Sequence, residues 1–279
     1  MQRPIAVFDS GLGGLSVVRA LRALLPAEDI VYFGDTARVP YGIKSHRTVA
    51  QFALEDARFL LRHEPKLIVA ACNTASALAM DELEAGLPLP VVGVVRPGAR
   101  AAVGAARGRP IAIIGTEATI GSRAYEEAIR RLDPAAEVVS QPCPLFVPLV
   151  EEGRGCDDAI VRLTVETYLG PLRAQRIGAI VLGCTHYPLL RGAIAAQLGP
   201  EVEIVESGQE TARAVRAVLA AAGDLCSSAA PGTMRFFVSD NPARFRAIGS
   251  GFLGHDIEHV ELVEPHDYIA SAQLEGQTP

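Results

Sequence analysis

The stretch Leu67, Ile68, Val69, Ala70, Ala71, Cys72, Asn73, Thr74 decides how this chain is read: an apolar run of strand character stops at a cysteine, and amide and hydroxyl side chains begin. Ala179, Ile180, Val181, Leu182, Gly183, Cys184, Thr185 repeats the pattern at an offset of 112 residues. A second pair agrees, since PIAVFDSGLGG begins at Pro4 and PIAIIGTEATIGS begins at Pro110, an offset of 106 that sets Ser10 opposite Thr116. The chain therefore reads as two related α/β halves, each contributing one cysteine. A cysteine that leaves a strand and enters the first turn of a helix lies beside unpaired backbone N–H groups, which favour its thiolate and can also hold a carboxylate.

The remaining composition fits a folded enzyme better than a binding surface for a polymer. With 279 residues and 49% hydrophobic composition the chain can bury a substantial core in one or two domains. Asp9 and Ser10 break the short apolar N-terminus and no uninterrupted apolar run is long enough to span a bilayer, so a soluble, cytoplasmic protein with neither membrane span nor signal peptide is expected. Five cysteines (72, 143, 156, 184 and 226) without CxxC spacing resemble neither a disulfide framework nor a zinc site, and no metal is expected. A net charge of −6 argues against nucleic acid and for a small-molecule partner. Only Lys44 and Lys66 are lysines, and Lys66 precedes a buried strand, which leaves little for a pyridoxal Schiff base.

Short apolar runs alternate with amphipathic stretches, the pattern of βα units. Strands are expected near residues 4–8, 29–34, 67–71, 90–94, 110–114, 137–140, 179–182, 203–205 and 234–238, with helices over 55–61, 75–85, 122–132, 157–169 and 211–222. The predicted fold class is α/β, with two pseudo-symmetric lobes, each a mainly parallel sheet flanked by helices, and the active site in the cleft between them. Crossings at Val95 to Gly98 and Glu206 to Gly208 divide the chain into a first lobe (1–97 plus 207–270, with Cys72), a second lobe (98–206, with Cys184) and a loosely held tail, 271–279.

In open α/β sheets ligands bind beyond the carboxyl ends of the strands. Asp9 and Ser10, the DTARVPYG loop from Asp35 to Gly42, Cys72 to Thr74, Thr116, Thr119, and Cys184 to His186 all fall there. DSGLGG is not a phosphate loop, because it lacks the P-loop lysine and begins with an acidic residue. Asp9 either caps the next helix or serves the site. His186, two residues after Cys184, either is a hydrogen-bonded structural histidine or shares the thiol proton.

FDSGLGGLSV, YFGDTARVPYG, ACNTASA, VVGVVRPGA, IGTEATIGS, PLFVPLVEEG and LGCTHYPLL, in this order, resemble the glutamate racemase family over nearly the whole chain, with Glu206 standing where an aspartate is typical. The resemblance implies cofactor-free racemisation of glutamate at Cα by two bases, supplying D-glutamate for peptidoglycan, in a protein that is often a homodimer. It implies Cys72 and Cys184 as the alternating base and acid, assisted by Asp9 and His186. Ser10, Pro40, Tyr41, Gly42, Asn73, Thr74, Thr116 and Thr185 would bind substrate, with Asp35, Thr119 and Glu151 in support. Two racemising bases of one kind suit a reaction that must run on opposite faces of Cα. A Cys184–His186 hydrolase or transferase, a non-catalytic amino-acid-binding protein, and a racemase for aspartate or a hydantoin are the competing readings.

Overall fold

The computed structural model describes residues 3–273. Ten strands form two sheets: β1 (Ile5–Asp9), β2 (Ile30–Gly34), β3 (Leu67–Ala70), β4 (Val91–Gly93), β5 (Ile111–Gly115), β6 (Val138–Pro142), β7 (Ala179–Gly183), β8 (Glu203–Glu206), β9 (Met234–Val238) and β10 (Glu261–Leu262). The first sheet runs β10-β9-β2-β1-β3-β4 and the second β6-β5-β7-β8, and every pairing is parallel.

The order β2-β1-β3-β4 in one sheet is matched position for position by β6-β5-β7-β8 in the other. Registers match too: Ile5 lies opposite Leu67 in the first sheet, and Ile111 lies opposite Ala179 in the second. These are the offsets of 106 and 112 residues read from the repeated motifs, so β3 and β7 are equivalent strands and each leads directly into a cysteine.

The strands are apolar throughout because both faces of each sheet are covered. Along β1, Ile5 and Val7 face one core while Ala6 and Phe8 face another; along β7, Ile180 and Leu182 alternate with Ala179 and Val181. One cluster contains residues from both lobes, including Leu15, Val94, Ala112, Leu182 and Phe252, so the lobes share apolar contact as well as a cleft. The C-terminal segment returns to the first sheet, where β9 pairs with β2 and helix Pro265–Gln273 packs on helix His46–Leu61.

Several local expectations change. Val95 to Gly98 is not an irregular crossing but the opening of helix Val95–Ala106. Pro97 is tolerated there because N–H groups of a first turn have no helical acceptor. Ser207 and Gly208 likewise begin helix Ser207–Ala222, with Glu206 closing β8. The stretch 75–85 is two helices, Asn73–Leu78 and Met80–Gly86, and the helix expected over 122–132 starts at Ala124 after Arg123 in the left-handed region. Helix Pro265–Gln273 takes in residues 271–273 of the expected loose tail; 274–279 lie outside the described residues. Helix Leu15–Leu24 is the helix that follows the DSGLGG turn, whereas helix Pro242–Leu253 and the two-residue β10 lie outside the expected ranges. No helix among the described residues is long and apolar enough to cross a membrane.

Candidate active site

Cys72 is the N-cap of helix Asn73–Leu78, and its Sγ accepts the Ala75 N–H at 3.5 Å. The same sulfur donates to Ser10 Oγ, also at 3.5 Å, which joins the ends of β3 and β1. The Ala75 N–H favours a thiolate, as would a hydrogen bond from the Ser10 hydroxyl once the sulfur has lost its proton, yet burial and then the nearby Asp9 charge outweigh them and push the Cys72 thiol up to about 12. The helix terminus expected to activate this sulfur is therefore present but overruled by desolvation in the closed protein.

Cys184 follows β7 differently, leading into a single 3₁₀ turn, Tyr187–Leu190, before helix Arg191–Leu198. Its partner is a side chain. Cys184 Sγ lies 3.9 Å from His186 Nδ1, and His186 Nε2 lies 3.1 Å from Glu151 Oε1. Arg244 reaches the other Glu151 oxygen at 3.6 Å, and the Phe252 ring meets the imidazole edge-on. Burial alone would lower the His186 pKa, but its bonds to Cys184 and Glu151 prevail and raise it to about 10. Glu151 is held below the usual carboxylate range, first by its hydrogen bond with His186.

The raised imidazole has a measurable consequence. Stabilisation from His186 is full below its unfolded value of 6.5 and is lost as pH rises through about 10. The melting-temperature gap between the parent protein and a His186→Gln variant should be widest near pH ~6 and should close by pH ~10. A gap that stays constant across this range in calorimetry would rule out a buried imidazolium.

Asp9 lies between the two thiol environments, since its charge acts on Cys72 and on His186. It is not a helix cap: that position is Gly14, with no capping side chain, and Asp9 Oδ2 accepts from Gly11 N–H at 3.0 Å. Burial raises its pKa, against the pull of His186 and of the backbone N–H groups of Gly14 and Gly11.

Three hydroxyls, Thr74, Thr116 and Thr119, hydrogen-bond one another at 2.9 to 3.1 Å across the lobes. Gly42 packs directly on Thr116, where a Cβ would meet the threonine at 2.6 Å. Gly13 packs as closely on Thr185 and His186, and Ser16 Oγ donates to the Thr185 carbonyl at 3.3 Å. Tyr125 donates to Asn73 Oδ1 at 2.7 Å. Residues from both sets of strand ends are thus locked face to face, with Cys72 and Cys184 only 5% and 7% exposed. A cavity of about 450 Å³ reaches Thr185 from behind, between helices Leu15–Leu24 and Ser207–Ala222, and contains neither cysteine.

The DTARVPYG loop reaches the cleft by its backbone. Pro40 precedes the short turn Tyr41–Ile43, and the Tyr41 hydroxyl is committed to Asp35 at 2.5 Å and Asp56 at 2.9 Å. Asp35 also accepts from Arg38 and Ser239, and Arg38 ion-pairs with Glu55 and Asp56. Asp35 therefore anchors the loop in the core of the first lobe, away from the thiols. Residues the sequence reading did not single out are Gly13, Ser16, Tyr125, Arg244 and Phe252. Only Gly13 carried a signal, the tight glycine spacing of DSGLGG; the others act through contacts between distant segments. Among the described residues no cluster of three or more His, Cys, Asp or Glu side chains is arranged to hold a metal ion.

Two parallel sheets with a thiol at equivalent strand ends define a class, and the chain belongs to the Asp/Glu/hydantoin racemase family, whose model matches residues 13–215. Within it, the chain is 50% identical over 261 residues to the glutamate racemase of Geobacter metallireducens (94% of this chain, 96% of that one) and 48% identical over 263 residues to that of Neisseria meningitidis (94% and 97%). A crystal structure of Francisella tularensis glutamate racemase in complex with D-glutamate superposes with a TM-score of 0.87 at 40% identity, covering 94% of this chain and 98% of the other. Bacillus anthracis isoform RacE1 gives 0.90 at 39%, with the same coverage.

Proposed function

We propose that this chain is an isomerase that interconverts L-glutamate and D-glutamate without a cofactor, with Cys72 and Cys184 as alternating general base and acid. The observation that carries the reading is that β3 and β7, equivalent strands of a duplicated fold, each end at a buried cysteine. Racemisation removes the Cα proton from one face and returns one to the other, so two like groups from two like lobes meet its symmetry. In this reading Cys72 serves D-glutamate and Cys184 serves L-glutamate.

The carbanion is the harder demand, because no conjugated electron sink is available and fixed dipoles around the substrate carboxylate must supply the stabilisation. Asn73, Thr74, Thr116 and Thr185 would supply these donors, with Ser10 and the Pro40 to Gly42 backbone closing the pocket. Asp9 would assist Cys72, and His186, oriented by Glu151, would assist Cys184. Lobes 1–97 plus 207–270 and 98–206 would open for substrate and close for reaction. The cellular reading is a cytoplasmic enzyme, with a homodimer as its expected assembly, supplying D-glutamate for peptidoglycan.

Incubating the purified protein with L-glutamate in deuterated water tests this. Optical rotation should fall to zero while deuterium enters Cα; retained rotation without exchange would exclude racemisation. Glutamate should also be preferred to aspartate by at least about tenfold in kcat/KM, because shortening the side chain leaves buried donors unpaired at roughly 1–3 kcal/mol each. Equal kcat/KM for aspartate in the same polarimetric assay would remove the specificity while leaving the chemistry.

A further inference from the structure

Asn73 presents an unusual account of its four hydrogen-bonding capacities. Its side chain is 3% exposed, its Oδ1 accepts the Tyr125 hydroxyl at 2.7 Å, and its Nδ2 is buried without any protein partner. Leaving a buried amide N–H₂ unpaired costs about 1–3 kcal/mol, so such a group is kept where a ligand supplies the missing acceptor. An amide can rotate by half a turn and exchange its oxygen and nitrogen, which would present an acceptor to the cleft instead of a donor.

What prevents this is Tyr125. The tyrosine belongs to helix Ala124–Leu132 of the second sheet's layer, whereas Asn73 begins the helix after β3 in the first. Its ring is fixed between two glycines, since a Cβ on Gly98 would come within 3.2 Å of it and one on Gly183 within 3.4 Å. Burial pushes the phenol pKa up, so it keeps its proton, and Ser207 hydrogen-bonds to the same oxygen. The one phenolic hydrogen is then left to point at Asn73 Oδ1.

We propose that Tyr125 is a positioning residue for the reaction: by holding Asn73 Oδ1 across the lobe junction it turns Nδ2 toward the substrate carboxylate, and it does so only when the lobes are closed. This rests on the racemase reading above and adds to it a link between closure and readiness. Without the phenol the amide is free to turn its oxygen to the carboxylate, which repels the substrate.

A double-mutant cycle tests it. After wild-type racemisation of glutamate has been measured, Tyr125→Phe should lower kcat/KM by about 10- to 100-fold in both directions, the range expected for losing one hydrogen bond to a charged group. In an Asn73→Ala background the same change should have almost no effect, because its target is gone. Equal fold-losses in both backgrounds would assign Tyr125 a merely structural role and overturn the proposal. Asn73→Asp provides an arm that does not depend on the tyrosine variant folding. It still accepts from Tyr125 but has no N–H₂, so kcat/KM should fall at least ~100-fold in protein whose circular dichroism shows it folded, even though burying a carboxylate lowers its melting temperature; wild-type kcat/KM in Asn73→Asp would also overturn it. A wild-type protein that does not racemise glutamate fails at the first step and removes the racemase reading itself.

Discussion

Cys72→Ser and Cys184→Ser should each remain folded and each lose racemase activity in both directions, by at least about 10³-fold in kcat. Every turnover needs one group to take the Cα proton and another to deliver one, so a single substitution disables the forward reaction at one step and the reverse reaction at the other. A positioned general acid or base contributes typically ~10²–10⁴-fold, and a serine hydroxyl ionises far less readily than a thiol. Neither change creates a large cavity, because oxygen for sulfur is a small loss of volume at sites that are polar on one side. Polarimetry from pure L-glutamate and from pure D-glutamate would measure both directions. Wild-type rates for Cys72→Ser starting from either enantiomer would end the two-thiol assignment, and so would wild-type rates for Cys184→Ser.

The two sulfurs reach this symmetric task from unlike surroundings. Cys72 is held as a thiol by burial and by Asp9, while Cys184 sits beside a histidine whose proton Glu151 helps retain. The duplication supplied equivalent strands; the neighbours diverged. Racemisation tolerates this because an enzyme that interconverts enantiomers must have both acid and base present in either direction, whichever sulfur begins with the proton.

The parts of this arrangement legible in the chain were those written in local pattern. Strand ends, the repeat offsets and the cysteine positions all follow from apolar runs that stop at polar residues, and both registers agree with them. The helix at Val95 was hidden because Pro97 and Gly98 read as a break, although a first turn accepts both. Arg244, Phe252 and Tyr125 were illegible for another reason. Each owes its place to a partner far away in sequence: Glu151, His186 and Asn73 respectively. Nothing in the local composition of RFRAIG or SRAYEE marks such a partner. Tyr41 shows the converse, a side chain in a suggestive loop whose hydroxyl is spent on Asp35 and Asp56 in the core.

Gly13→Ala should lower kcat/KM for glutamate by about 10²-fold or more, with little change in the first lobe's fold. A Cβ at this position would lie 2.2 Å from Thr185 Oγ1, 2.6 Å from His186 Nδ1 and 2.7 Å from His186 Cε1. Thr185 could turn its hydroxyl aside, but His186 has nowhere to go, being held by Glu151 on one nitrogen, by Cys184 on the other and by Phe252 against its edge. The strain, roughly 1–3 kcal/mol for an added methyl in a packed site, therefore falls on the lobe contact itself. It is relieved by a small separation of the lobes, and a displacement of about 1 Å between reacting groups can cost ~10²-fold in rate. The paired control is Gly104→Ala, where an added Cβ meets nothing within 4 Å, and which should leave kinetics unchanged. Normal kinetics in Gly13→Ala would mean that the closed contact between the DSGLGG turn and His186 is not the reacting geometry.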